Sequence, residues 1–201
     1  MGLALLCFCL LANAATAQSV NLKIGDPAPE FNALPNIDEK KYSLADFAAK
    51  EVLVLAFTCN SCPYAADYEL RLIALAKEFC GEGKSVALVA VNVNKVAEDL
   101  PPKMRERAEK QGFNFPYLFD ETQQIARSYG ALYTPEFFVF DKARKLVYHG
   151  AFDDNSQADK VKQQYVRDAI LATLAGEKVL TAETPPVGCA VRYERKRRTK
   201  D

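Results

Sequence analysis

The chain has no tryptophan, a single histidine and only two methionines in 201 residues, and its 26 Lys and Arg are matched by 26 Asp and Glu. That charge balance removes any global electrostatic reason to expect nucleic acid. With His149 as the one histidine, a histidine-rich metal centre is excluded. Zinc needs four ligands in a closed site, so it would have to gather the isolated Cys80 and Cys189 around the one C-x-x-C present. There is no internal repeat and no long linker, and no apolar run spans a bilayer comfortably. What is present is a chain 49% hydrophobic, enough for one compact domain with a proper core.

Residues 2–11 are apolar and are followed by Ala12-Asn13-Ala14 and Ala15-Thr16-Ala17, both small-x-small cleavage sites. Residues 1–17 read as a cleaved export signal, although only the terminal amine supplies positive charge ahead of the apolar run. Leu6 and Phe8 precede Cys7 and Cys9, which does not suit a lipid anchor. The expected location is exported, periplasmic or secreted, with no stable membrane insertion after cleavage. Removal of the signal leaves Cys59, Cys62, Cys80 and Cys189 in a compartment where disulfides persist. Four cysteines allow three connectivities. Spacing favours Cys59 with Cys62, and leaves open whether Cys80 and Cys189 meet.

The segment Cys59-Asn60-Ser61-Cys62-Pro63 follows an unbroken apolar block, residues 52–57, that reads as a buried parallel strand. Behind it Tyr68, Leu72, Leu75, Ala76 and Phe79 recur at helical spacing, with Asp67, Arg71 and Glu78 marking a solvated face. A C-x-x-C at a strand-to-helix junction sets sulfur beside unpaired N–H groups and the positive end of the helix dipole, which favours thiolate over thiol. A purely structural disulfide there would close a very short loop and remove little unfolded-state entropy. The spacing suits switching better than stapling.

A second buried strand over residues 86–91 completes a strand–helix–strand unit. Asp99 is placed to cap a helix with Pro101-Pro102 in its first turn and Gly112 as its stop. Residues 113–119 are aromatic and extended, and Asp120 with Gln123 resembles a capping box for a helix ending at Gly130. Residues 136–140 and 145–149 form a hairpin about a polar turn, and a last amphipathic helix covers 158–174. The predicted class is α/β: a mixed central β-sheet with helices on both faces and an N-terminal extension. The domain is set at 18–190, followed by a basic, disordered tail at 191–201, whose stretch 192–200 has six basic residues and one acidic.

That element order, with C-x-x-C opening the first helix and Thr-Pro just before the hairpin, resembles the thioredoxin-like fold. The motifs resemble more closely a redoxin of the AhpC/TSA-related, peroxiredoxin-like group over about residues 22–190. They include Gly25-Asp26-Pro27-Ala28-Pro29-Glu30-Phe31, Tyr42-Ser43-Leu44-Ala45-Asp46-Phe47 and Phe57-Thr58-Cys59-Asn60-Ser61-Cys62-Pro63-Tyr64. Others are Phe115-Pro116-Tyr117-Leu118-Phe119-Asp120, Thr134-Pro135-Glu136-Phe137-Phe138 and Pro186-Val187-Gly188-Cys189. The resemblance implies that Pro135 is cis, opposite the C-x-x-C. It also implies that Thr134 and Pro135 form a substrate-docking edge on which an incoming extended chain pairs.

Departures from the group matter too. Peroxiredoxins carry P-x-x-x-T-x-x-C around the peroxidatic cysteine. Counting back from Cys59, those Thr and Pro positions hold Ala56 and Val52; from Cys62 they hold Cys59 and Leu55. Thioredoxin has Trp before its first cysteine, where this chain has Thr58, and a carboxylate in the preceding strand, which residues 52–57 lack.

The function expected is therefore thiol–disulfide exchange by catalytic Cys59 and Cys62, with Cys59, exposed at the helix start, attacking and Cys62, one turn in and more buried, resolving; no cofactor and no metal are expected. Its partners would be protein or small-molecule disulfides and thiols and an unidentified redox partner. The alternatives are a peroxiredoxin-like antioxidant peroxidase, a copper-handling or cytochrome-assembly protein using His149, and a binding module without enzymatic activity. Cys80 reads as a buried apolar residue.

Overall fold

The computed structural model describes residues 22–194. The export segment set at 1–17 and residues 195–201 lie outside the described residues. The Pro-punctuated lead-in holds a short antiparallel hairpin, β1 (Leu34–Pro35) with β2 (Lys41–Tyr42). The chain then enters the sheet through β3 (Val52–Phe57), in which all six residues are buried. Helix α1 (Pro63–Phe79) follows, then β4 (Val86–Asn92), α2 (Pro101–Gln111), β5 (Tyr117–Phe119) and α3 (Gln124–Tyr129). The two-residue β6 (Tyr133–Thr134) leads into the hairpin β7 (Glu136–Phe140) and β8 (Leu146–Gly150). Helix α4 (Tyr165–Leu174) and the two-residue β9 (Cys189–Ala190) complete the order.

The central sheet runs β5-β4-β3-β7-β8, parallel across β3–β4 and β4–β5 and antiparallel across β3–β7 and β7–β8. Both faces are covered, which is why β3 and β4 are apolar throughout rather than alternating. The two-residue strand period divides them between two cores. Val52, Val54 and Ala56 join Tyr68, Leu72 and Leu75 of α1 and Val166, Ala169 and Ile170 of α4. Leu53, Leu55 and Phe57 join Ile125, Ala126 and Tyr129 of α3, with Phe31, Leu34 and Phe47 of the N-terminal extension. Each fully buried Val, Leu or Phe contributes about 1.5–3 kcal/mol, so these strands form a rigid base for the loops at their ends.

Four local expectations are corrected. Asp99 does not cap α2: Leu100 is its N-cap residue, and the Asp99 side chain turns toward Ser61. Gly112 does stop that helix in the left-handed conformation, φ 75°. The Asp120–Gln123 capping box is replaced by Asp120 accepting from the N–H groups of Thr122 and Ile125, with Gln123 itself at the N-cap. The last helix starts at Tyr165, because Asp154 Oδ1 takes the N–H groups of Lys162 and Gln163 and holds that stretch out of helical geometry. Arg71 is not on a solvated face, since the segment after β8 folds over it and Asp153, Asn155 and Ser156 all accept from its guanidinium.

Residues 191–194, set within the tail, are held against the fold. Val191 is buried and its N–H donates to Leu132 O at 2.8 Å. Asn94 and Gln123 then take the N–H groups of Arg192 and Glu194. No helix of the described residues is long and apolar enough to cross a membrane.

Candidate active site

Central strand β3 ends at Phe57, and Thr58 still donates to Val91 O at 3.0 Å, so the chain leaves the sheet on a fixed heading into Cys59. Pro63 occupies the first helical position of α1, where its missing N–H costs nothing. Cys62 is therefore the N-cap residue, with extended backbone, rather than a residue one turn inside the helix. Both cysteines precede the helix and both are buried, Cys59 at 3% and Cys62 at 1% exposure, so the expected contrast between an exposed and a buried sulfur is absent. Both are free thiols, clustered with Ala65.

The loop between the sulfurs is clamped by the segment just before α2. Buried Asp99 accepts from Ser61 N at 2.8 Å with one carboxylate oxygen and from Ser61 Oγ at 2.6 Å with the other. Asn60 donates to Glu98 O at 2.8 Å and accepts from the Tyr117 hydroxyl at 3.1 Å. A polar depression of about 220 Å³ borders this loop, lined by Asn60, Ser61, Lys103 and Arg107 among others.

From the other side comes the loop of Thr134 and Pro135, whose peptide bond is cis. The Cys62 thiol donates to Thr134 O at 2.9 Å, and Cys59 Sγ lies 3.5 Å from Thr134 Oγ1 and 3.7 Å from Ser61 Oγ. The four residues expected to form the site are thus brought together. The edge of Thr134 is not open to an incoming chain, however. It is already paired antiparallel with β9, Thr134 against Cys189 and Tyr133 against Ala190. An extended substrate would have to displace the protein's own C-terminal segment.

Sequence reasoning missed three contributors. Asp99 is the first, since its position before Pro101-Pro102 carries the marks of a helix cap. Glu136, 2% exposed, accepts from Leu132 N at 2.7 Å and Tyr133 N at 2.8 Å and so shapes the loop before Pro135. The signal for it was a carboxylate opening the otherwise apolar strand Phe137-Phe138-Val139-Phe140. Cys189 is the third, packed against the Cys59–Cys62 cluster. Cys80 does not join it: it ends α1, about 25 Å along the helix at 1.5 Å per residue, and burial pushes its thiol up. His149 stacks on Phe138 and bonds Glu136 Oε1 at 2.6 Å, so it serves the fold. Among the described residues no group of three or more His, Cys, Asp or Glu is arranged to hold a metal ion.

The two thiols shift each other's ionisation in opposite directions. The hydrogen bond from the Cys59 thiol, helped by Cys189 and by the N–H groups of Ala65 and Cys189, lowers Cys62 to about 5 against the effect of burial. The same contact with Cys62, together with burial and nearby Asp99, pushes Cys59 far up. When Cys62 is the protonated partner, its thiol donates to Thr134 O at 2.9 Å. With the proton on Cys62, the charge passes to Cys59, where the Ser61 and Thr134 hydroxyls stand.

A sheet sandwiched between helices, with a two-cysteine loop at the start of its first helix and a cis-proline loop facing it, defines a thioredoxin-like redox protein. The AhpC/TSA family profile matches residues 24–149. The chain belongs to the AhpC/TSA family. It is 32% identical over 109 residues to peroxiredoxin Bcp of Escherichia coli K12, an alignment covering 54% of this chain and 65% of that protein. To thiol-disulfide oxidoreductase ResA of Geobacillus thermodenitrificans it is 27% identical over 148 residues, 72% of this chain and 78% of that one. A solved structure of an uncharacterized conserved protein from Geobacillus kaustophilus matches with a TM-score of 0.80 at 35% identity, covering 87% of this chain and 94% of the other.

Proposed function

We propose that this protein is an exported thiol–disulfide oxidoreductase that exchanges disulfides through Cys59 and Cys62. The observation that carries the reading is the clustering of two free thiols at the N-terminus of α1, both hydrogen-bonded to Thr134 of the loop that carries Pro135. In this mechanism a thiolate on Cys59 attacks one sulfur of a substrate disulfide, and the departing sulfur leaves as a thiol. Cys62 then attacks Cys59 Sγ, expels the second substrate sulfur and leaves a Cys59–Cys62 disulfide. Ser61 and Asp99 hold the loop so that the two sulfurs stay in reach of each other. With Thr134 paired to β9, small disulfides are favoured over extended protein chains.

Peroxide reduction is the second reading, and the family and the likeness to peroxiredoxin Bcp favour it more strongly than exchange. Against it stand Ala56 and Val52 at the motif positions. The hydrogen-bonding side chains on Cys59 and Cys62 are also neutral hydroxyls and a thiol, and among the described residues no guanidinium bonds either sulfur to meet the charge that develops on a leaving oxygen. Turnover of a low-molecular-weight disulfide and of hydrogen peroxide, each measured with the same thiol supply, separates the two. Faster disulfide turnover is expected; peroxide turnover that exceeds it and vanishes in Cys59→Ser would reverse the assignment.

Export is proposed on the apolar segment and its small-x-small sites alone. Protein purified from its own host is expected to begin near Gln18, and N-terminal sequencing that finds Met1 intact would contradict this.

A further inference from the structure

Three cysteines meet at the start of α1, and Cys62 is the middle one. It touches Cys59 on one side and Cys189 on the other, whereas Cys59 has Ser61, Thr134 and Cys62 as its polar neighbours. Cys189 arrives there on a segment that is built to be seated. Its backbone pairs with Thr134, and the Thr134 hydroxyl donates to Cys189 O at 3.4 Å. Gly188 lies so close to the loop that a Cβ on it would be 2.2 Å from Thr134 O and 3.0 Å from Pro135 N, so no other residue fits without moving the backbone. Downstream, the bonds from Val191, Arg192 and Glu194 to Leu132, Asn94 and Gln123 pin the strap at three further points.

We propose that Cys189 is a third redox cysteine, which takes Cys62 over from Cys59 by exchange within the chain. The proposal rests on the reading of Cys59 and Cys62 as the redox pair. Once a substrate disulfide has oxidised that pair, the Cys189 thiolate attacks Cys62 Sγ. The Cys59–Cys62 bond breaks, a Cys62–Cys189 bond forms, and Cys59 leaves as a thiolate that takes up the proton Cys189 has lost. No electrons are gained or lost in this step. Its result is a strap covalently locked onto the Thr134 edge and a Cys59 returned to the thiol state, free to attack again. Oxidation itself also favours the step. In the reduced protein the adjoining Cys62 sulfur is the main cause that pushes Cys189 up, to about 11. A Cys62 held in a disulfide carries no charge and accepts no proton from Cys189, so that influence ends.

The test is disulfide mapping after limited oxidation with oxidised glutathione, acid quenching and blocking of free thiols. Trypsin leaves Cys59 and Cys62 on peptide 51–71 and Cys189 on peptide 179–192. The wild type is expected to give both the internal 51–71 disulfide and the cross-linked 51–71/179–192 species. Cys59→Ser should give the cross-link as its principal oxidised form, with two glutathiones released per bond formed. Cys189→Ser should retain the internal disulfide and lose the cross-link. Gly188→Val, with its fold verified by circular dichroism, should behave like Cys189→Ser, because the added side chain lifts the strap. An internal disulfide alone in the wild type, with only glutathione adducts on Cys59→Ser, would overturn the role of Cys189 and leave the pair intact. A wild type with neither disulfide would overturn the pair itself.

Discussion

Disulfide turnover is expected to fall to background in Cys62→Ser, a larger loss than the roughly 10²–10⁴ that removing a general acid or base costs. Cys62 is a member of both disulfides the site can form, so its sulfur cannot be replaced by an oxygen. Cys59→Ser should differ. Cys62→Ser keeps the attacking sulfur and should accumulate one mixed disulfide on Cys59 per chain; Cys59→Ser loses that sulfur and should reduce a disulfide only as far as Cys62 and Cys189 close their own bond. The pH dependence follows from the opposed shifts of the two thiols. Thiolate absorbance of the reduced wild type should show a first step near the lowered value of about 5 for Cys62. That step belongs to the pair. Replacing Cys59 by alanine removes the largest cause of the lowering, and the remaining Cys62 thiol should titrate higher. The linkage to stability has a definite sign. The two thiols, each near about 8.5 in the unfolded chain, together bind more protons than the folded pair between pH 5 and 8.5. Stability of the reduced protein should therefore rise with pH across that window and be lost as pH falls through 5, more steeply than in Cys62→Ala.

Much of this site was legible in the sequence because it rests on short-range rules. A buried strand, two cysteines and a proline at a helix start specify a local geometry, and the resemblance through Thr134-Pro135 supplied the facing loop. The missing parts are long-range. Asp99 lies 38 positions from Ser61 and carries the usual marks of a helix cap, so its reach to the cysteine loop depends on the β4–α2 connection in three dimensions. Cys189 lies 55 positions beyond Thr134 in a Pro- and Gly-containing stretch with no periodicity to place it. Its seat was visible only once β9 was paired. The placement of Cys62 at the N-cap rather than one turn inside α1 is a shift of about one helical turn at an element boundary. It removes the contrast in exposure between the two sulfurs.

Arg71→Met is expected to destabilise the fold by about 3 kcal/mol, toward the low end of the 3–5 kcal/mol that breaking a buried ion pair costs. The Asp153 side chain is 1% exposed and that of Arg71 is 17%, so the guanidinium keeps some contact with water. Besides the Asp153 carboxylate, it donates to Asn155 O at 3.0 Å and Ser156 O at 2.7 Å and lies 4.1 Å above the Tyr68 ring. It therefore fastens the segment after β8 to the helix that follows the cysteines. Burial raises the Asp153 carboxyl while Arg71 holds it down, so the variant leaves a buried acid with nothing to oppose its desolvation. Against a total of about 5–15 kcal/mol for a typical domain, the loss should be plain in urea denaturation of the reduced protein. A double variant, Arg71→Met with Asp153→Leu, should recover much of it, because an apolar pair of similar volume leaves no uncompensated charge. Equal stability of Arg71→Met and wild type would show that the segment is held by its apolar contacts alone.

The most direct test of the pair as a redox centre is an equilibrium titration of the reduced wild type in glutathione buffers of graded potential, read as the disulfide within peptide 51–71 after acid quenching. Counted with any Cys62-linked cross-link to 179–192, oxidation of that peptide should follow one reversible two-electron transition, with the same midpoint from the reduced and the oxidised side. Persistence of both thiols across the whole range, or oxidation of Cys59 to sulfinic acid with no disulfide formed, would contradict it.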